Sequence, residues 1–158
     1  MDVLKIFEEL QNLLLDEIVK NTKAQEEAQE EANSHGGAKV SRYDTFKEEA
    51  QYLVDGFKKK ILDLNHDLVL LKEFLIKLDL NLKQNQVVRL GNVVTTKDEK
   101  NVLRHYLYSP SAGGKKIHYD DLIILVVTPI SPFGKVLLGK QVNEEINLSI
   151  KQKIILIQ

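Results

Sequence analysis

The chain has 158 residues, 28% of them charged, a formal net charge of −1, no cysteine and no tryptophan. That length suffices for one compact domain or two small ones. The balanced charge gives no global basic field for nucleic acid, and without cysteine there is no disulfide framework, thiolate metal site or cysteine nucleophile. No apolar run reaches the roughly 20 residues needed to span a bilayer. The opening Met1-Asp2-Val3-Leu4-Lys5 lacks the charged region and cleavage site of a secretory leader, so a soluble, cytoplasmic protein is expected, with no membrane partner.

Residues 2–77 contain no proline, and one break interrupts them: Ser34-His35-Gly36-Gly37. Before the break, Val3, Phe7, Leu10, Leu14 and Ile18 form an apolar stripe at helical spacing, continued by Ala24, Ala28 and Ala32. Bulk falls along the stripe, and small seam residues let two helices approach closely. Gly36-Gly37 ends the helix, because glycine adopts the left-handed terminal conformation without penalty. Ser41 is placed to cap the next helix, with Asp44 three residues on, close to a capping box. A second stripe follows: Phe46, Ala50, Leu53, Phe57, Ile61, Leu64, Leu68, Leu71, Leu75 and Leu78. Its alternation of threes and fours slips between Phe57 and Ile61, which predicts a stutter beside Gly56. Together the stripes predict an antiparallel coiled-coil hairpin over residues 1–80 with its tip near 34–41. Arms of about 32 residues at about 1.5 Å each give a rod of roughly 48 Å.

Polar residues 81–86 read as a linker to a second domain at 87–158. There the period becomes strand-like: Val87–Leu90, Val93–Thr96 and Val102–Tyr108, then a loop at Ser109–Gly114 by its turn chemistry. Leu122–Val127 is a continuous apolar run, expected to be a buried central strand. Ser131 caps a short helix with Pro132 at its first position and Gly139 closing it. Glu145–Ile150 and Lys153–Ile157 are the last strands. The fold class is α+β: a helical hairpin plus a small antiparallel sheet with one short helix.

These residues resemble the Gre (GreA/GreB) family of bacterial transcription elongation factors. The resemblance is carried by Ile130-Ser131-Pro132-Phe133-Gly134-Lys135-Val136-Leu137-Leu138-Gly139-Lys140-Gln141-Val142, joined to a hairpin of this length. Tyr108-Ser109-Pro110 with Gly113-Gly114, Val126-Val127-Thr128-Pro129, Arg42-Tyr43-Asp44-Thr45 and Glu49-Ala50-Gln51-Tyr52-Leu53 look like a divergent branch of it. The resemblance implies an FKBP-like C-terminal domain that docks at the rim of the secondary channel of RNA polymerase. The hairpin would run toward the active site and the nascent RNA 3′ end, the protein acting as a monomer. It implies docking through Ser131, Pro132, Phe133 and Gly134. Ile130 stands where some members carry an acid.

In cleavage-stimulating members, two acidic tip residues help to hold a second Mg²⁺ of the polymerase, whose two-metal chemistry suits phosphodiester hydrolysis. With the family's tip aligned on Gly36, Gly37 and Val40 stand in the acid positions. The nearest acids are Asp44, Glu30 and Glu31, for which helix-terminal or solvated roles compete. The tip residues His35, Gly36, Gly37, Lys39 and Arg42 are further candidates, with His35 read either as a cation near RNA or as a plain turn residue. The expected function is therefore modulation of elongation or pausing by a polymerase-binding protein that is not itself an enzyme and holds no metal or cofactor of its own, any Mg²⁺ being shared with the polymerase. Three alternatives stay open: a cleavage cofactor using the displaced acids, a peptidyl-prolyl isomerase, and a coiled-coil adaptor that dimerises. Lys58-Lys59-Lys60 reads as a solvated helix face, and His66, His105 and His118 share no metal-ligand spacing.

Overall fold

The computed structural model describes residues 1–34, 41–78, 87–148 and 150–158, and of residues 34 and 41–47 the helical backbone only. Two helices, α1 (Val3–Ser34) and α2 (Ser41–Lys77), precede a six-stranded sheet and a short helix. The chain divides into two compact units: Leu13–His66, and Met1–Asn12 together with Asp67–Gln158. The first turns of α1 and the last of α2 thus belong with the sheet. The expected linker 81–86 lies outside the described residues.

In the unit Leu13–His66 the two arms bury one stripe each. Leu14, Ala28 and Ala32 of α1 and Ala50, Val54 and Leu64 of α2 are buried. Side-chain bulk falls toward residue 32, as the sequence predicts. One seam position differs from expectation: Val54 is 0% exposed, whereas Leu53 is 55% exposed. With Val54 in place, the α2 seam runs Ala50, Val54, Phe57, Ile61, Leu64, Leu68, Leu71, steps of four and three without a slip. Among the described residues, the predicted slip between Phe57 and Ile61 is therefore absent. It came from choosing the leucine over the adjacent valine, and burial follows the heptad period rather than side-chain size.

Gly56, beside that position, is exposed, and an added Cβ meets nothing within 4 Å. It serves no close helix contact. Gly56→Ala is expected to stabilise the protein by about 0.5–1 kcal/mol through helix propensity. A urea midpoint that fails to rise would contradict this.

The sequence stripe also passed over Asn21, which is buried in the seam. Its side-chain amide donates to the Glu17 carbonyl at 2.6 Å, and the Thr22 hydroxyl donates to the Ile18 carbonyl at 2.9 Å. Back-bonding of this kind meets the polar group's hydrogen-bonding needs inside a helix. A single polar seam residue specifies register at some cost in stability.

In the other unit, Asp2 caps α1: its carboxylate accepts from the Leu4 and Lys5 amides at 3.1 and 3.4 Å. The Asp2 amide donates to the Tyr119 hydroxyl at 3.1 Å, tying the helix start to the sheet. Ile6, Phe7 and Leu10 of α1 and Leu71 of α2 are buried, and the rings of Phe7 and Phe74 lie 5.7 Å apart, tilted by 47°. Ser111 Oγ donates to the Asp67 carbonyl at 2.7 Å.

The strands are β1 (Val93–Asp98), β2 (Leu103–Tyr108), β3 (Lys116–Tyr119), β4 (Leu122–Val127), β5 (Glu145–Asn147) and β6 (Lys151–Ile157). Their order is β3-β4-β2-β1-β6-β5. All pairs are antiparallel except β2 with β4, which run parallel with His105 opposite Ile124. The expectation of a central β4 is corrected: it lies one strand in from the edge, and its Ile123 is 56% exposed. β3 was not anticipated, because four residues with one buried apolar member, Ile117, give too short a period. Val87–Leu90 makes only an isolated bridge, Val87 with Gln141, before the turn to β1. Gly91 takes φ +94° there, and an added Cβ would stand 3.0 Å from Leu78 and 3.1 Å from Phe74.

One sheet face packs on α3 (Pro132–Leu137). Val88, Val94, Tyr106, Tyr108, Val127, Leu137, Ile146, Ile154 and Ile157 form that core, with Leu125, Phe133 and Val136 against it. Two polar groups there are matched: Thr96 Oγ1 and Tyr106 Oη both donate to Gln152 Oε1, at 2.6 and 3.0 Å. Burial raises the Tyr106 phenol above its ordinary value, opposed by the Gln152 hydrogen bond.

Candidate docking surface

The corner between β4 and α3 is built from a few residues. Ser131 has an extended backbone, φ −70° and ψ 150°, as an N-cap requires. Its amide and its hydroxyl both donate to the Thr128 carbonyl, at 3.0 and 2.7 Å, and its Oγ accepts from the Gly134 amide at 3.0 Å. Pro132 follows at the first turn, where its missing N–H costs nothing. Gly134 is buried, and a Cβ there would lie 1.9 Å from the Thr128 carbonyl oxygen. Only glycine lets the corner close this tightly. Phe133 is half-buried, its ring 4.5 Å from that of Tyr106 at 40°.

The four expected docking residues therefore separate into two jobs. Gly134 and Phe133 set the shape of the corner, while Pro132 is exposed and Ser131 half-exposed. Ile130, which by sequence stands out only as the residue in place of an acid, is 83% exposed and faces outward. Its signal in the sequence is an apolar residue between two prolines, Pro129 and Pro132, in a turn. Beyond α3, Leu138 and Val142 are also exposed. Glu144 braces the chain there: its carboxylate accepts from the Gln141 amide at 2.5 Å and from Lys140 Nζ at 3.1 Å. The Gln141 amide, then Lys140, hold that carboxyl below its ordinary range.

A second polar construction closes the β1–β2 hairpin. Asp98 Oδ1 accepts from the Lys100 and Val102 amides, both at 2.9 Å, and Oδ2 accepts from Arg104 Nη2 at 2.9 Å. Asn101 takes φ +64°, a left-handed conformation asparagine tolerates. On β2, His105 Nδ1 lies 3.0 Å from Thr95 Oγ1, and burial holds the imidazole below its ordinary value.

The tip residues His35, Gly36, Gly37 and Lys39 lie outside the described residues, as do the side chains of Arg42 and Asp44; the backbones of the last two are in α2. Glu30 and Glu31 are exposed on α1. Among the described residues no group of three or more metal-ligating side chains is brought together, and no helix is long and apolar enough to cross a membrane. Lys58, Lys59 and Lys60 are exposed, with Lys58 3.8 Å from Asp55.

No family profile matches the chain, and no curated protein matches it in sequence. Among solved structures it is similar to GreA factor homolog 1 (Gfh1) of Thermus thermophilus, at 16% identity and a TM-score of 0.37, covering 94% of each chain. A second structure of the transcription factor Gfh1 gives 17% identity and 0.37, over 94% of this chain and 92% of that one. Gfh1 of Thermus aquaticus gives 14% and 0.36, over 93% and 92%.

Proposed function

We propose that this protein binds core RNA polymerase, with the β4–α3 corner docked at the rim of the secondary channel and the helical arms directed inward, and that it modulates elongation and pausing. The observation that carries the reading is the corner itself. The Ser131-Pro132-Phe133-Gly134 segment, whose sequence resembles the Gre family, folds into a fixed turn that turns Ile130 and Pro132 outward. A rigid apolar projection is what a docking contact needs, because little side-chain freedom is lost on binding. The arms, each with one buried stripe and a charged outer face, are the other part of the reading. In this reading the protein acts on the polymerase and catalyses nothing itself.

The test is binding of purified core polymerase by the wild-type chain and by Ile130→Asp. Ile130 is exposed, so the substitution is expected to leave stability within about 0.5 kcal/mol. Affinity is expected to fall at least about tenfold, the effect of losing a central apolar contact. No binding by the wild type would overturn the reading, and full binding by the variant would remove the corner from it. Transcript cleavage in backtracked complexes that Asp44→Ala abolishes would replace modulation by pausing with cleavage stimulation.

A further inference from the structure

The sheet face opposite α3 is only partly covered. Strand alternation places Val93, Thr95 and Lys97 of β1 on that face, opposite Leu107, His105 and Leu103 of β2. Val93 and Leu107 are buried, as is Ile124 beside His105 on β4. Toward the β1–β2 turn the cover ends. Leu103, Lys97 and Lys153 form one exposed row across β2, β1 and β6, and exposed Leu156, opposite Thr95, lies in the next.

Within that row Lys97 and Lys153 are direct cross-strand partners. Like charges at directly opposed positions destabilise a sheet. Neither ammonium has an ion-pair partner among the described residues. The nearby carboxylates are engaged elsewhere: Glu145, opposite Lys153 on β5, binds Lys151 at 3.1 Å, and Asp98 is held by two amides and Arg104. A cleft of about 160 Å³ runs past the two lysines. A like-charge pair beside exposed leucines is a local cost that no ion pair to either lysine offsets, the pattern expected where binding rather than stability sets the residues.

We propose that this open end of the sheet is a second docking surface, which takes an acidic protein segment carrying an apolar side chain. The carboxylate would sit between Lys97 and Lys153, and the apolar group on Leu103 and Leu156. The segment offers a single carboxylate to the lysine pair, because Asp98, Glu99 and Glu145 line the same cleft and repel any longer run of negative charge, a nucleic-acid backbone above all. The inference rests on the polymerase-binding reading and places the acidic segment on the polymerase.

Lys97→Glu separates binding from folding. It removes the like-charge pair and sets a carboxylate opposite Lys153, so the melting temperature of the free protein is expected to stay level or rise. Affinity for core polymerase free of nucleic acid is expected to fall at least tenfold, with Lys97→Arg restoring it. Wild-type binding that Lys97→Glu leaves unchanged would overturn this inference while sparing the polymerase reading. Absence of wild-type binding would overturn that reading itself. A loss seen only with nucleic-acid-loaded polymerase would assign the surface to nucleic acid and overturn the acidic-segment proposal. A lowered melting temperature with lost binding would make Lys97 structural, with the same consequence.

Discussion

Replacing Gly134 by alanine is expected to dislodge α3 and lower stability by about 3 kcal/mol, at the upper end for inserting a methyl group into a packed site. The added carbon would lie 1.9 Å from the Thr128 carbonyl oxygen and 2.9 Å from Ser131 Oγ. That obstacle is backbone, not the end of a flexible side chain. Relief requires breaking the Ser131 hydrogen bonds to Thr128 or lifting α3 from the sheet, which parts Phe133 from Tyr106. A urea titration followed by tyrosine fluorescence measures the loss, since Tyr106 and Tyr108 both lie in the affected core. Lys135→Ala, one residue along and exposed, is the control and is expected to change little. An unshifted midpoint for the Gly134 variant would show that the corner is not held as described. Because Ile130 and Pro132 project from the same corner, the variant is also expected to lose polymerase binding.

Phe7→Ala is expected to cost about 3–5 kcal/mol, the range for deleting a buried aromatic side chain and leaving a cavity. Phe7 is 1% exposed and meets Phe74, which in turn packs against the Gly91 turn at the entry to β1. The pair thus joins the first turns of α1, the last turns of α2 and the start of the sheet. Hydrogen exchange is expected to show lost protection at Ile6, Leu10 and Leu71 first. Val19→Ala, on the exposed side of α1, is expected to stay within about 0.5 kcal/mol of the parent. Equal effects from the two variants would mean that the Phe7–Phe74 pair does not hold the helix ends to the sheet.

The helical arms were legible in the sequence because a period of three and four survives over many turns, and a glycine pair marks where it stops. What misled was local: Leu53 outranks Val54 in hydrophobic bulk, yet Val54 keeps the heptad. Asn21 was passed over because a polar side chain breaks an apolar stripe on paper, while in the helix its amide bonds to the turn below. In the sheet, β1, β2 and α3 announced themselves through β-branched runs and the Ser-Pro cap. The parallel pairing of β2 with β4 left no trace, since pairing partners are set by topology and not by either strand's own pattern. The same limit hid the open end of the sheet, where Lys97 and Lys153 stand 56 positions apart in the chain and meet only through the β1–β6 register. The corner was half legible: its motif could be read, but the outward turn of Ile130 needed the backbone.

In the proposed function the chain sits in the polymerase channel with its arms inward. Site-directed photo-crosslinking tests it most directly, with one reagent on Lys39→Cys, in the connection between the arms, and another on Ile130→Cys at the corner. The account predicts that in complexes with core polymerase the first labels residues around the catalytic centre and the second labels the channel rim. Adducts from position 39 confined to the outer surface of the polymerase, with position 130 left unprotected, would contradict it.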